Sequence, residues 1–167
     1  IKELRYNSGE AANNDLSLDI QVTNIDHYSA DIKITPSDDT QEYYYYIGYI
    51  DSKKKSMKPI DIANAAVTEY LYYWTESGQI AIREPHTGVT DLAGYELNIA
   101  ETEYFIVAFS FAANPTYGTI LEETGDYDTN PGAITSAPVY VSFKTPEHGN
   151  PLDATFEFTY SEVGPYD

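Results

Sequence analysis

The sequence predicts an all-β domain, a sandwich of antiparallel strands with one helix inserted after the third strand. Three observations carry that prediction. Apolar and polar residues alternate with a period of two through several short runs, the pattern of strands buried on one face. Turn-forming clusters such as Pro36-Ser37-Asp38-Asp39 punctuate those runs. One stretch, 59–75, carries its large apolar residues at helical spacing instead.

The composition bounds what such a domain does. The chain has 167 residues, 27 acidic and 9 basic side chains, a formal net charge of −18 and no cysteine. A chain of this size buries about 70% of its unfolded surface, enough for one sizeable core. Without cysteine there is no disulfide scaffold, no thiolate zinc site and no thiol catalysis. The negative charge opposes a phosphate backbone, so nucleic acid and anionic membrane surfaces are excluded as partners. No apolar run approaches the roughly 20 residues of a membrane span, so direct membrane insertion is not expected. A chain that opens on Ile1 is expected to be processed or cut from a longer protein.

The elements follow in order. Residues 1–14 run from an extended Ile1-Lys2-Glu3-Leu4-Arg5-Tyr6 into Ser8, Gly9, Asn13 and Asn14, an N-terminal arm and linker. Leu18, Ile20 and Val22 alternate with Asp19, Gln21 and Thr23 as a first strand. Tyr28, Ala30, Ile32 and Ile34 repeat the alternation after an Asp26-His27 turn. A third strand, 42–50, places Tyr43, Tyr45, Ile47 and Tyr49 on one face and Tyr44, Tyr46, Gly48 and Ile50 on the other. Both faces are apolar, so both are expected to be covered.

After the basic Lys53-Lys54-Lys55 comes the helix. Pro59 opens it, Asp61 is a possible N-cap, and Ile62, Ala66, Tyr70, Tyr73 and Trp74 fall on one face before Gly78 ends it. This helix is the natural cover for the outer face of the tyrosine strand. Extended pieces at 80–82 and 94–97 lead to the most apolar run of the chain, 103–111, which belongs at the centre of a sheet. A long polar connection, 112–137, precedes a last strand, 139–143, and Lys144-Thr145-Pro146 ends the domain.

Residues 147–167 read as a linker and the first strand of a possible second repeat. Residues 153–167 lie on residues 15–29 without gaps at a constant offset of 138, which sets Phe156, Phe158, Tyr160 and Val163 on Leu18, Ile20, Val22 and Ile25. The same segment, 154–160, also suits strand addition to a neighbouring subunit in a fibre.

About seven strands with short turns, no cysteine, and a tyrosine opening the central strand indicate an immunoglobulin-like sandwich. The run Leu18 to Asp38, the tyrosine strand, Leu97-Asn98-Ile99-Ala100-Glu101-Thr102-Glu103-Tyr104 and the run Ile134 to Thr145 together resemble a fibronectin type III-like module of the kind found in surface lipoproteins of gut Bacteroides. The resemblance covers residues 15–146. It implies a secreted or cell-surface location with a lipid anchor in the outer membrane, neighbouring domains as partners, a monomer, and no shared enzymatic activity. It gives Tyr104 the structural role of the tyrosine corner, whose hydroxyl ties a crossover to the sandwich. The sequence departs from the family in having Ala100-Glu101 where Pro-Gly precedes that tyrosine, and in the length of its last hairpin loop.

A spacer or a binding module is therefore expected, and not an enzyme. Binding would use the 112–137 connection, since long loops on a rigid sandwich are where recognition sits. Tyr117 and Tyr127 belong to that loop. Tyr72, off the helix's buried stripe, is the helical aromatic expected to be exposed. The aromatic set of Tyr43 to Tyr49 with Tyr70, Tyr72, Tyr73 and Trp74 either stacks on sugars, making a carbohydrate-binding module, or forms the strand-to-helix core. Asp126, Asp128 and Asn130 alternate as calcium-binding oxygens do, but Pro131 stands where an EF-hand loop needs glycine, and the same residues favour a plain turn. No other cofactor is implied. His27, His86 and His148 each stand alone, and the chain has no phosphate loop, nucleophile elbow or metalloprotease helix.

Overall fold

Two periodicities build the molecule, and they meet on one strand. The computed structural model describes residues 15–147 and the backbone of residues 158–162. Among these the order is β1 (Leu18–Thr23), β2 (Ser29–Pro36), β3 (Tyr44–Tyr49), α1 (Pro59–Ala66), β4 (Tyr72–Trp74), β5 (Ile80–Ile82), β6 (Thr90–Glu96), β7 (Glu103–Phe109), β8 (Phe111–Ala113), β9 (Gly132–Ile134), β10 (Val139–Lys144) and β11 (Phe158–Glu162). The arm at 1–14, the linker residues 148–157 with His148, and residues 163–167 lie outside the described residues.

One antiparallel sheet has the order β1-β2-β6 and a second has β11-β10-β7-β3. In β1 the alternation is complete: Leu18, Ile20 and Val22 are buried while Asp19, Gln21 and Thr23 are exposed. Their neighbours across β2 are in register, Ile20 opposite Ile34 and Val22 opposite Ile32. These side chains share a core with Tyr43, just before β3, and with Ile106, Ala108, Val141 and Phe143 of the second sheet. The fold is thus an all-β sandwich of antiparallel sheets, with this inner core between them.

The central strand β7 is buried along nearly its whole length because each of its faces is covered. Tyr104, Ile106 and Ala108 point into the core between the sheets. Phe105, Val107 and Phe109 point the other way and pack with Ile62, Ala63, Ala66, Val67 and Leu71, so the inserted helix covers the outer face of β3 and β7. The tyrosine strand divides as its alternation requires: Tyr43, with Tyr45 and Ile47, belongs to the inner core, and Tyr44, with Tyr46 and Ile50, to the outer one.

The helix is shorter than its spacing indicates. It ends at Ala66, widens into a π-helical turn at Val67–Leu71, and passes directly into β4. Tyr72, Tyr73 and Trp74 are strong strand formers, and pairing with Ile80–Ile82 gives them a hydrogen-bonded partner that a further helical turn would lack. Gly78 sits at φ 78° in the turn of that hairpin rather than at a helix end. Asp61 is the third helical residue, not the N-cap: Lys58 holds the N-cap position, Pro59 follows it, and the Asp61 carboxylate accepts the Lys58 N–H at 3.3 Å.

Tyr104 fastens the crossover between the sheets. Its hydroxyl donates to the Ile99 carbonyl at 3.1 Å and accepts the Ile99 N–H at 3.0 Å, while its ring stacks on Phe143 at 5.8 Å. Thr145, itself fully buried, joins the same knot by accepting the Thr102 N–H at 2.9 Å and donating to Ile99 O at 3.2 Å. Tyr104→Phe keeps the stacking and removes both hydroxyl bonds, so a loss of about 1–3 kcal/mol is expected. Urea unfolding should show it as a lower midpoint at an unchanged slope.

The segment that matches β1 at the 138-residue offset forms a strand at Phe158–Glu162. Here it pairs antiparallel with β10, Phe143 opposite Phe158 and Val139 opposite Glu162, as the edge of the four-stranded sheet.

Candidate functional site

Two hairpins that belong to neither main sheet pack together and form an aromatic end. The first is β4–β5. Its base is set by the π-helical turn, which buries Val67 and Leu71 against the outer sheet face and so fixes where β4 begins. Strand alternation then places Tyr72, Trp74, Ile80 and Ile82 on one side, with Trp74 opposite Ile80 and Tyr72 opposite Ile82. Tyr73 is on the other side. There the Arg83 guanidinium lies over the rings of Tyr70 and Tyr73, 4.5 and 5.4 Å from their centroids, and its Nε donates to Tyr70 O at 2.9 Å.

The second is β8–β9 with the connection 114–131 at its end. The connection is ordered by its own polar groups. Asn114 Nδ2 donates to Asp128 Oδ2 and to Asn130 O, both at 2.8 Å, and the Thr116 hydroxyl donates to Asp128 at 2.6 Å. Asp128 also accepts the Asn130 N–H, and the Asn130 side chain accepts the Gly132 N–H at 3.1 Å. The Thr116 hydroxyl, then the Asn130 N–H and Asn114, hold the Asp128 carboxyl below its ordinary pKa. Two of the three oxygens proposed from sequence for calcium, those of Asp128 and Asn130, thus bond within their own loop. Asp126 is exposed at the tip and accepts the Leu121 N–H through its carbonyl. Among the described residues no three His, Asp or Glu side chains are grouped so as to hold a metal ion.

The hairpins meet through Tyr72. Its ring lies 4.5 Å from that of Tyr117 and edge-on to Phe111, and its hydroxyl donates to Pro131 O at 2.6 Å. Burial pushes the Tyr72 hydroxyl up to about 12. Next to it Gly118, at φ 80°, lies against Ile80 so closely that a Cβ would overlap the Ile80 Cδ1. Tyr72 is therefore half-buried at the seam, not exposed. The difference follows from the early end of the helix, which sets Tyr72 against Tyr117 and leaves Tyr73 and Trp74, on opposite sides of β4, exposed. Tyr117 is half-buried beside Tyr72, and Tyr127 alone of the three proposed tyrosines is open to solvent.

Exposed large apolar residues are frequent on these two hairpins. Of the nine large hydrophobic residues exposed among the described ones, five are Tyr73, Trp74, Ile120, Leu121 and Tyr127, on these two hairpins. Trp74, the one tryptophan of the chain, is the most open at 70%. Ile120 and Tyr127 are bridged across the small inner hairpin of the 114–131 connection. Glu76, Glu122, Glu123 and Asp126 on the same two hairpins are exposed as well. Sequence reasoning missed Ile120 and Leu121 and placed Tyr73 and Trp74 on the buried stripe of a helix; the signal for their exposure was Glu76-Ser77-Gly78 followed by Ile80-Ala81-Ile82, a turn and a strand that needed a partner just upstream. Comparisons with protein-family models, with curated proteins and with solved structures find no match to this chain.

Proposed function

We propose that this chain is a non-catalytic, fibronectin type III-like module of a bacterial surface protein, and that its aromatic end binds neutral carbohydrate. The observation that carries this reading is Trp74, exposed on a hairpin whose base is locked by Val67, Leu71 and the Tyr72–Pro131 bond. An open indole on a rigid base is a stacking platform for a sugar ring, and exposed carboxylates on the same hairpins are available to accept sugar hydroxyls. The charge of −18 selects against acidic glycans. Strand orders β1-β2-β6 and β10-β7-β3 support the immunoglobulin-like assignment, because they correspond to the two faces of that sandwich. The surface location rests on the sequence resemblance.

The test is a fluorescence titration with neutral polysaccharides, chosen from a glycan array, in which Trp74 is the only indole to report. Trp74→Ala is expected to weaken array binding about 30-fold, the ~2 kcal/mol of a central aromatic contact, with an unchanged melting temperature. An array with no binding rejects the carbohydrate reading.

A further inference from the structure

The edges of the two sheets are not alike. At the free edge of β6, Asp91 and Glu96 supply charge, Gly94 takes φ 64°, and the register against β2 shifts between Ala30 and Ile32. At β3, His86 bridges to Tyr43 and closes the start of the edge. These are the devices by which natural sheets avoid unwanted pairing. β10 has none of them. Its sequence Val139-Tyr140-Val141-Ser142-Phe143-Lys144 contains no proline or glycine, bears one charge at its last residue, and keeps an unbroken register of six pairs against β7. Such an unbroken edge, charged only at Lys144, is made to be covered, and residues 158–162 cover it in five successive antiparallel pairs.

The chain that delivers this cover is long. Thirteen residues separate Lys144 from Phe158, whereas hairpins that must close on themselves use about 2–5. Extended, thirteen residues reach roughly 45 Å, and adjacent strands are only about 5 Å apart. The hydrogen bonds between β10 and β11 are the same whether the two strands come from one chain or from two. A connector of this length closes within one chain at an effective concentration of about millimolar, so exchange between copies sets in as the protein concentration approaches that value.

We infer that the edge of β10 is an acceptor for residues 158–162 of a second copy of this chain. Copies exchange these strands, reciprocally as a closed dimer or head to tail as a filament. The inference is independent of the carbohydrate reading, since it uses the opposite edge of the sheet from β3 and no residue of the aromatic end.

Ser142 and Thr159 are directly opposite in the register, at a separation a disulfide spans. The chain has no cysteine of its own to compete. S142C and T159C are made as separate full-length proteins, mixed in urea, refolded together across a range of concentrations up to about millimolar, and oxidised. The expected product is a linked S142C–T159C pair that rises with concentration and exceeds the self-linking of either variant about tenfold. In the double variant S142C/T159C, dilution is expected to shift the link from between chains to within one chain. If the two single variants do not link above self-linking at any concentration, the inference is overturned, whether or not the double variant closes on itself.

Discussion

Phe105→Ala is expected to lower the unfolding free energy by about 3–5 kcal/mol, a large part of the 5–15 kcal/mol that holds a typical domain together. Phe105 is fully buried on the outward face of β7. Its ring stacks on Tyr140 at 5.8 Å and meets Tyr46 at 5.7 Å, and Tyr46 in turn lies 4.7 Å from Tyr70. Gly48, opposite Phe105 in the register, leaves room for the ring: a Cβ at Gly48 would stand 3.0 Å from Phe105 Cε1. Alanine at 105 therefore opens a void that faces a residue with no side chain to fill it. The inner core does not depend on this ring, so the loss falls first on the inserted helix. At about 2–4 °C per kcal/mol, the melting temperature should drop by roughly 6–20 °C. Hydrogen exchange should quicken over residues 59–83 before it does in β1 and β2. A loss below about 1 kcal/mol would mean that the helix is not held by this face.

The contrast between the two cores also explains what the sequence could and could not reveal. A period of two is a local property, and wherever one face of a strand is buried it can be read directly, as at Leu18, Ile20 and Val22 or along the two faces of 43–50. The unbroken apolar run at 103–109 announced a strand covered on both sides, and the cover was found three strands upstream in the helix at 59–66. The failure at 72–74 has a physical cause. Tyr70, Tyr73 and Trp74 satisfy helical spacing, but the same tyrosines and tryptophan are strong strand formers, and a partner at Ile80–Ile82 decided between them. That hairpin pairing lies outside the pattern of helical spacing, and it reversed which aromatics face out. Tyr127 was legible as an exposed aromatic in a polar loop, while Ile120 and Leu121 were not, because their exposure depends on a small hairpin held by Asn114, Thr116 and Asp128.

Gly132→Ala is expected to cost roughly 3 kcal/mol and to dismantle the aromatic end from a distance. Gly132 sits at φ 123°, a backbone conformation closed to side chains, and a Cβ there would overlap the Ala112 carbonyl oxygen and lie 2.9 Å from Phe111 Cζ. No small movement relieves this, because the obstacle is backbone of the paired strand β8, where Ala113 is the partner of Gly132. The hairpin must open, and with it go the Gly132 N–H bond to Asn130 and the position of Pro131, whose carbonyl holds the Tyr72 hydroxyl. Trp74 itself is untouched by the substitution, yet its hairpin loses the seam that fixes it. Urea unfolding should therefore show a stability loss in Gly132→Ala that Trp74→Ala lacks, and the emission of Trp74 should shift in the folded protein. Gly118→Ala separates the two effects. It meets only the flexible end of Ile80, although at φ 80° it is strained as well, so it should disturb the Trp74 emission with a smaller loss of stability. If Gly132→Ala melts as the parent does and leaves that emission unchanged, the 114–131 connection does not support the β4–β5 hairpin, and the rigid base on which the carbohydrate reading depends is lost with it.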